Sequence, residues 1–287
     1  MNLGVKYVTP AAIEKWKQER GYDKPLLVNY DENGLSKFTS TIFFEKSLAM
    51  FVFDFGRADD GRDIAYEIKT RMVPSLAIAL PVFILGLLAY ITFALLMVFF
   101  RATYIDLWGV VICVALMSIS SLFYIIGGQF LIGKLWHLVP ISGYAGGVDM
   151  GKFLLLPVII GVISSAGANT RWYRTIFLEE MGKEYVRTAR AKGLPESLIL
   201  FKHVLKNAMI PILTGVVVII PLLFLGSLIS ESFFGIPGLG SYTIEAINSQ
   251  DFAIVRAMVF LGSMLYIVGL VLTDISYTLV DPRIRLE

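Results

Sequence analysis

The sequence predicts an all-α fold, a polytopic helical membrane protein with five transmembrane helices. Three observations predict it. Hydrophobic residues make up 56% of the 287 and charged residues only 17%, against about 25% charged in soluble domains. The apolar residues fall into five long runs, and a hydrocarbon core takes roughly 20 apolar residues as a helix. The basic residues collect in the links on one side of those runs.

Residues 1–72 carry eleven basic and eleven acidic residues and no run long enough to span. They read as an extracytoplasmic N-terminal segment without the basic start and apolar core of a signal peptide. Within it TPAAIEKWKQERGY predicts a helix, with Thr9 as N-cap and Pro10 at the first helical position. NYDENGLS then reads as a turn-rich break, and EKSLAMFVFDFG as amphipathic or interfacial. The predicted spans are residues 73–100, 107–133, 153–171, 208–230 and 257–280. Pro74 suits the first turn of the first span, and the third is completed by a snorkelling Arg171. Pro81, Pro157 and Pro221 fall inside or near the ends of spans, where neighbouring helices re-satisfy the freed carbonyls.

Arg171, Arg174, Lys183, Arg187, Arg190, Lys192, Lys202 and Lys206 lie between the third and fourth spans, and Arg283 and Arg285 follow the fifth. The links 134–152 and 231–252 hold only Lys134 and Lys152 as lysines. Positive-inside bias therefore places the loop at about 174–207 and the C-terminus in the cytoplasm. Five spans that end inside begin outside, so a further span upstream of Met1 is expected.

The loop itself has a readable shape. Residues 184–192 favour a helix, Gly193 is a natural C′ residue, and Pro195 suits the first turn of a new helix. Leu198, Phe201, Leu205 and Ala208 then recur at helical spacing, with Lys202, His203, Lys206 and Asn207 on the other face. Helix, glycine turn, helix makes a compact knob. Two readings fit it: a docking element for a soluble partner, or a basic surface loop held by anionic lipid.

The stretch YVRTARAKGL, residues 185–194, resembles the signature loop of inner-membrane permease subunits of binding-protein-dependent ABC transporters. The general pattern there is Glu-Ala-Ala, three residues, then Gly. Here the glycine falls on Gly193 and the second alanine on Ala189, while Arg187 and Thr188 stand at the Glu and first Ala positions, as in the dipeptide/oligopeptide class. FKHVLKNAMIPILT, ESFFGIPGLGSYTIEAINSQDF and DISYTLVDPRIR extend the resemblance, as do YDKPLLVNY, FDFGRA and RMVPSL upstream. The family has six spans, so the resemblance implies that its first span is missing here, by truncation, a misassigned start or a split gene. It makes 73–287 a permease domain of the ABC-importer type.

The resemblance further implies that Glu184, Tyr185, Arg187, Thr188, Ala189, Arg190, Ala191, Lys192, Gly193 and Leu194 form an ATPase-coupling loop. Gly193 would set the angle between the paired helices and Ala189 would allow close approach. The implied partners are a second homologous permease, two cytoplasmic ATPase subunits or domains, an extracytoplasmic solute-binding protein and membrane lipid, with no nucleic acid. ATP and magnesium are expected on the ATPases, and no cofactor or metal on this chain. The implied function is transport of peptides or similar solutes across a bacterial cytoplasmic membrane. An ion-gradient-driven carrier or channel and a non-transporting remnant are the alternatives.

Other constellations carry less. GQFLIGKL at residues 128–135 approaches a phosphate-binding pattern but ends in Leu, with no hydroxyl for a metal ion. DFG at 54–56 has no companion kinase element. His137 and His203 fall on opposite sides in this topology. Cys113 reads as a small buried side chain, and no nucleophile–base pair is evident. Pro237, Gly238 and Gly240 in GIPGLG form a turn-rich outer loop that is either a gate or binding-protein seat, or a simple turn. Asp274, the one acid within a span, is either paired structurally with Arg171 or Arg174 or part of a proton relay. Substrate-contacting residues are not legible.

Overall fold

The computed structural model describes residues 10–19 and 21–280. Thr9, Arg283 and Arg285 lie outside them. Among the described residues the regular structure is helical, with one isolated antiparallel bridge between Arg57 and Asp63. The chain divides into two compact units, Met1–Thr70 with Thr243–Leu261, and Arg71–Tyr242 with Gly262–Glu287. The N-terminal segment thus groups with part of the stretch 73–287.

In the first unit, α1 (Pro10–Glu19) begins at the expected proline. The EKSLAMFVFDFG stretch is wound as a π-helix over Phe43–Leu48 and a 3-10 turn over Ala49–Val52, closed by Phe53 in the left-handed region at φ 60°. Phe51 and Phe55 meet Phe260 edge to face, with centroids 5.1 and 6.3 Å apart. Asp251 is buried yet fully engaged. One carboxylate oxygen accepts from the N–H of Ala253 (3.1 Å) and Ile254 (3.3 Å), and the other from Asp59 N–H at 2.6 Å. Those donors offset the desolvation that a buried acid otherwise pays.

The first predicted span is α2 (Ile64–Phe99). It starts nine residues before the expected 73, because Asp63 caps it by accepting from Tyr66 N–H at 2.9 Å. Pro74 consequently lies inside the helix together with Pro81, not in its first turn. The second predicted span is not one helix. α3 (Tyr104–Ser118) and α4 (Ser121–Gly128), the latter prolonged as a π-helix over Gln129–Leu135, are bent by 86°. The break falls at Ile119 and Ser120, both extended. The serines of this SISS stretch explain it: hydroxyls compete for backbone partners, and Ser118 donates back to the Val114 carbonyl at 2.8 Å.

The third span, α5 (Met150–Met181), runs ten residues past its predicted end. After the knob helix α6 (Glu184–Ala191), α7 (Glu196–Leu225) joins the predicted amphipathic helix and the fourth span into one bent rod. It stops at Gly226 (φ 68°) and not at residue 230. α8 (Leu228–Phe234), α9 (Leu239–Ser249) and α10 (Phe252–Val280) follow. Among the described residues four helices are long and apolar enough to cross a membrane, and five if the bent pair counts as one span.

In the second unit the larger core cluster joins α2, α5, α6 and α7. Tyr90, Ala94, Leu95 and Val98 meet Tyr173, Phe177 and Met181, then Val186 and Ala189, then Ile199, Leu200, Val204, Ala208 and Ile212. A smaller cluster gathers Ile78, Ile125, Leu156, Ile160, Phe234 and Ile236.

Candidate functional site

The knob is built as its sequence dictates. α6 ends at Ala191, and Gly193 takes φ +75° with open space around it. Gly193 N–H donates to the Arg190 carbonyl (2.9 Å) and Leu194 N–H to the Ala189 carbonyl (3.3 Å). This is a Schellman closure, in which the two bonds satisfy carbonyls that the helix end leaves open. Pro195, extended, is the N-cap of α7, which begins at Glu196. Across the turn, Arg190 grips Glu196 through Nε and Nη2 (2.6 and 3.2 Å). That hydrogen bond raises the Arg190 pKa above its already high value.

One face of α6 is spent inside the protein. Val186 is fully buried and Ala189 nearly so, and burying a side chain of valine size contributes about 1.5–3 kcal/mol. Ala189 therefore provides close approach to this chain's own core. Glu184, Arg187, Thr188 and Ala191 form the exposed stripe, with Lys192 and Gly193 beyond it, at the i, i+3, i+4, i+7 spacing of one helix face. Arg187 pairs with Glu184 at 2.7 Å, so, with Arg190 engaged by Glu196, both arginines of α6 are compensated within the chain.

The N-terminal root of α6 is pinned as well. Glu180, at the end of α5, is buried; Tyr185 Oη donates to its Oε2 at 2.7 Å, and Lys183 pairs with its Oε1. Burial first, and the Glu180 carboxylate after it, push the Tyr185 phenol up to about 12 despite a bond to Asn207. The phenol therefore stays a donor at neutral pH. Tyr185, Glu180, Asn207 and Pro211 line a cavity of about 540 Å³ at this root.

The GIPGLG loop is shaped by a residue that the sequence reading missed. Glu231, on α8, is 1% exposed. Its Oε1 accepts from Ser227 N–H (3.1 Å), and its Oε2 from Gly240 N–H (2.7 Å) and Ser241 N–H (3.2 Å). The Ser75 hydroxyl of α2 also bonds this carboxylate while accepting from Leu239 N–H at 2.8 Å. A Cβ at Gly226 or Gly238 would overlap the carboxylate, and one at Gly240 the Ser227 backbone. Gly238 and Gly240 are therefore buried packing positions, and Pro237 alone of the three predicted loop residues is exposed. A lone acid just past an apolar run and just before three glycines was the available signal.

Asp274 lies exposed on α10. Arg174, one of its expected partners, is held instead by Asp106, through Nε to Oδ1 (2.9 Å) and Nη2 to Oδ2 (2.8 Å). Arg171 lies 3.7 Å from the Met117 sulfur. Among the described residues no ion pair is formed by Asp274.

An open cleft of about 690 Å³ lies among α2, α4, α5 and the 219–231 stretch. Its apolar wall carries a band of neutral hydrogen-bonding groups: Ser121, Ser164, Ser165, Asn169, Tyr90 and Tyr173.

Comparison with known proteins bears on these features. A family model described as "binding-protein-dependent transport system inner membrane component" matches residues 68–286. The chain is similar to a peptide transport system permease protein of Brucella abortus, 30% identical over 285 residues that make up 97% of this chain and 86% of that one. It is 27% identical to the dipeptide transport system permease protein DppB of Bacillus subtilis over 269 residues, 92% of this chain and 81% of that one. With the oligopeptide transport system permease protein AppB of Bacillus subtilis it shares 36% identity over 137 residues, 48% and 43% of the two chains.

Proposed function

The chain belongs to the family of binding-protein-dependent transport system inner membrane components, and on that premise we propose that it is one transmembrane half of an ATP-driven peptide importer. A separate cytoplasmic ATPase seats on the 184–207 knob. The second half is a homologous permease, a second ATPase serves it, and an extracytoplasmic solute-binding protein delivers the peptide. ATP and magnesium sit on the ATPases. The C-terminus is cytoplasmic.

The observation that carries this reading is the two-faced knob. Its inner face is locked into a core shared by α2, α5 and α7, so force applied to α6 reaches three long helices at once. Its outer stripe is exposed. On α6 itself, internal pairing of Arg187 and Arg190 favours a protein groove over anionic lipid, which rewards uncompensated charge. The cleft supports the same reading: hydroxyls and the Asn169 amide on an apolar wall suit the backbone of peptides whose side chains vary.

Replacing Gly193 by valine tests it. A β-branched residue at φ +75° costs about 1–2 kcal/mol, enough to disturb the turn while the span-forming runs are untouched. The variant is expected to insert and assemble, yet to lose uptake and the stimulation of ATP hydrolysis by loaded binding protein. Uptake at the wild-type rate would sink the coupling role.

A further inference from the structure

Glu231 stands where several parts of the second unit converge. It lies within the segment 226–241, which follows the end of α7 opposite the knob; α7 is 30 residues long, roughly 45 Å. The same side chain satisfies N–H groups at the start of α8 and at the start of α9, and Ser75 ties both to α2. The C-terminal end of α8 is held separately. Gly143 N–H donates to the Phe234 carbonyl at 2.7 Å, and the Gln129 amide bridges the carbonyls of Phe233 (3.0 Å) and Ile141 (3.1 Å). Ser75, Gly226 and Glu231 are also part of the cleft lining. A carboxylate with no room for a Cβ around it, and with backbone donors on both oxygens, is a specific fastening. A hydrophobic side chain of the same size would leave those N–H groups unsatisfied.

We propose that Glu231 is a positioning residue that fastens the 226–241 segment to α2 as the end wall of the cleft, holding shut the end opposite the knob until the transport cycle releases it. This rests on the importer reading. The fastening is made of neutral donors around one anion, so it can open as a unit when α2 and α8 separate and reform without an ion-pair partner. Its expected function is to keep the resting transporter from leaking and hydrolysing ATP without solute.

The test uses the assembled complex recovered with the tagged chain and reconstituted in sealed vesicles. The reporter is Ser164→Cys in the cleft, in a Cys113→Ala background, labelled by an impermeant maleimide from the binding-protein side. In the otherwise wild-type chain, labelling without ATP should be slow and should rise with ATP and loaded binding protein. Glu231→Gln is expected to raise the resting rate roughly tenfold and to raise solute-independent ATP hydrolysis with it; Ser75→Ala should do so less. Phe234→Leu, a buried change on the same helix at a side chain with no hydrogen bond to the carboxylate, serves as the control for lost stability. Unchanged resting labelling in a folded Glu231→Gln complex would overturn the proposal, and so would an equal rise in Phe234→Leu at matched melting temperature. Labelling in the wild-type chain that ignores ATP would overturn the importer reading and the proposal with it.

Discussion

At the scale of single residues, Glu231 shows how a buried acid is made tolerable. Burial pushes its carboxyl above the ordinary glutamate value of 4.5, while the hydroxyl of Ser75 and the backbone donors of Ser241, Ser227 and Gly240 pull it back down. A folded-state pKa above the unfolded one means that the folded chain holds the proton more tightly. Stability is then fullest below 4.5 and declines as pH rises toward the folded value. Thermal melts in detergent should show that decline as the pH is raised from 4.5. Glu231→Gln should abolish the slope and lower stability throughout by about 1–3 kcal/mol, because an amide nitrogen would face N–H donors. A slope unchanged in the Gln variant would assign it to another group. Glu231 was legible as an isolated acid, but its partners, Ser75 on the distant α2 among them, were not.

At the scale of elements, the bent α3–α4 pair and the rod α5 are fastened by Asp106 and Arg174, which join helices 68 positions apart in sequence. The pair is only 11% and 22% exposed. Removing one partner leaves a charge without compensation, so Asp106→Ala or Arg174→Ala is expected to cost about 3 kcal/mol. The combined change Asp106→Leu with Arg174→Met should cost far less than the two losses added. Denaturation midpoints of the three variants check this, and simple additivity would mean that the pair contributes nothing as a pair. Asp106 stands one position before the apolar run predicted to begin at 107, so its burial was hidden by the very rule that found the span. The helix–glycine–helix knob, by contrast, was legible almost residue by residue. A Schellman turn is a local affair, settled by Gly193 and its neighbours.

At the scale of the whole molecule, the orientation inferred from the basic links makes a prediction that the structure sharpens. Position 241 in the GIPGLG loop would be a natural place for a labelling cysteine by sequence, but Ser241 is buried and its hydroxyl donates to the Gly238 carbonyl at 3.0 Å. Asn248 is exposed, as is Ser197 beside the knob. Single cysteines at 248 and 197, without Cys113, should label from outside at 248 and not at 197 in sealed right-side-out vesicles. The reverse pattern would invert the assigned topology. The two-unit division also changes where a truncation would cut. Residues 243–261 belong with the N-terminal unit, so that unit is discontinuous in sequence.

By itself, the sequence determined the helical membrane class, the approximate positions of the apolar runs and the knob, including its left-handed Gly193. Each of these follows from run length, periodicity or a single backbone demand, and all act within a few turns of chain. Tertiary structure alone decided that the second run breaks at Ile119 and Ser120, that Ala189 faces inward, that Arg174 serves Asp106, and that Glu231 gathers the GIPGLG loop onto Ser75. The reason is physical: a buried charge or donor takes whichever complementary group the packing of distant helices brings within reach.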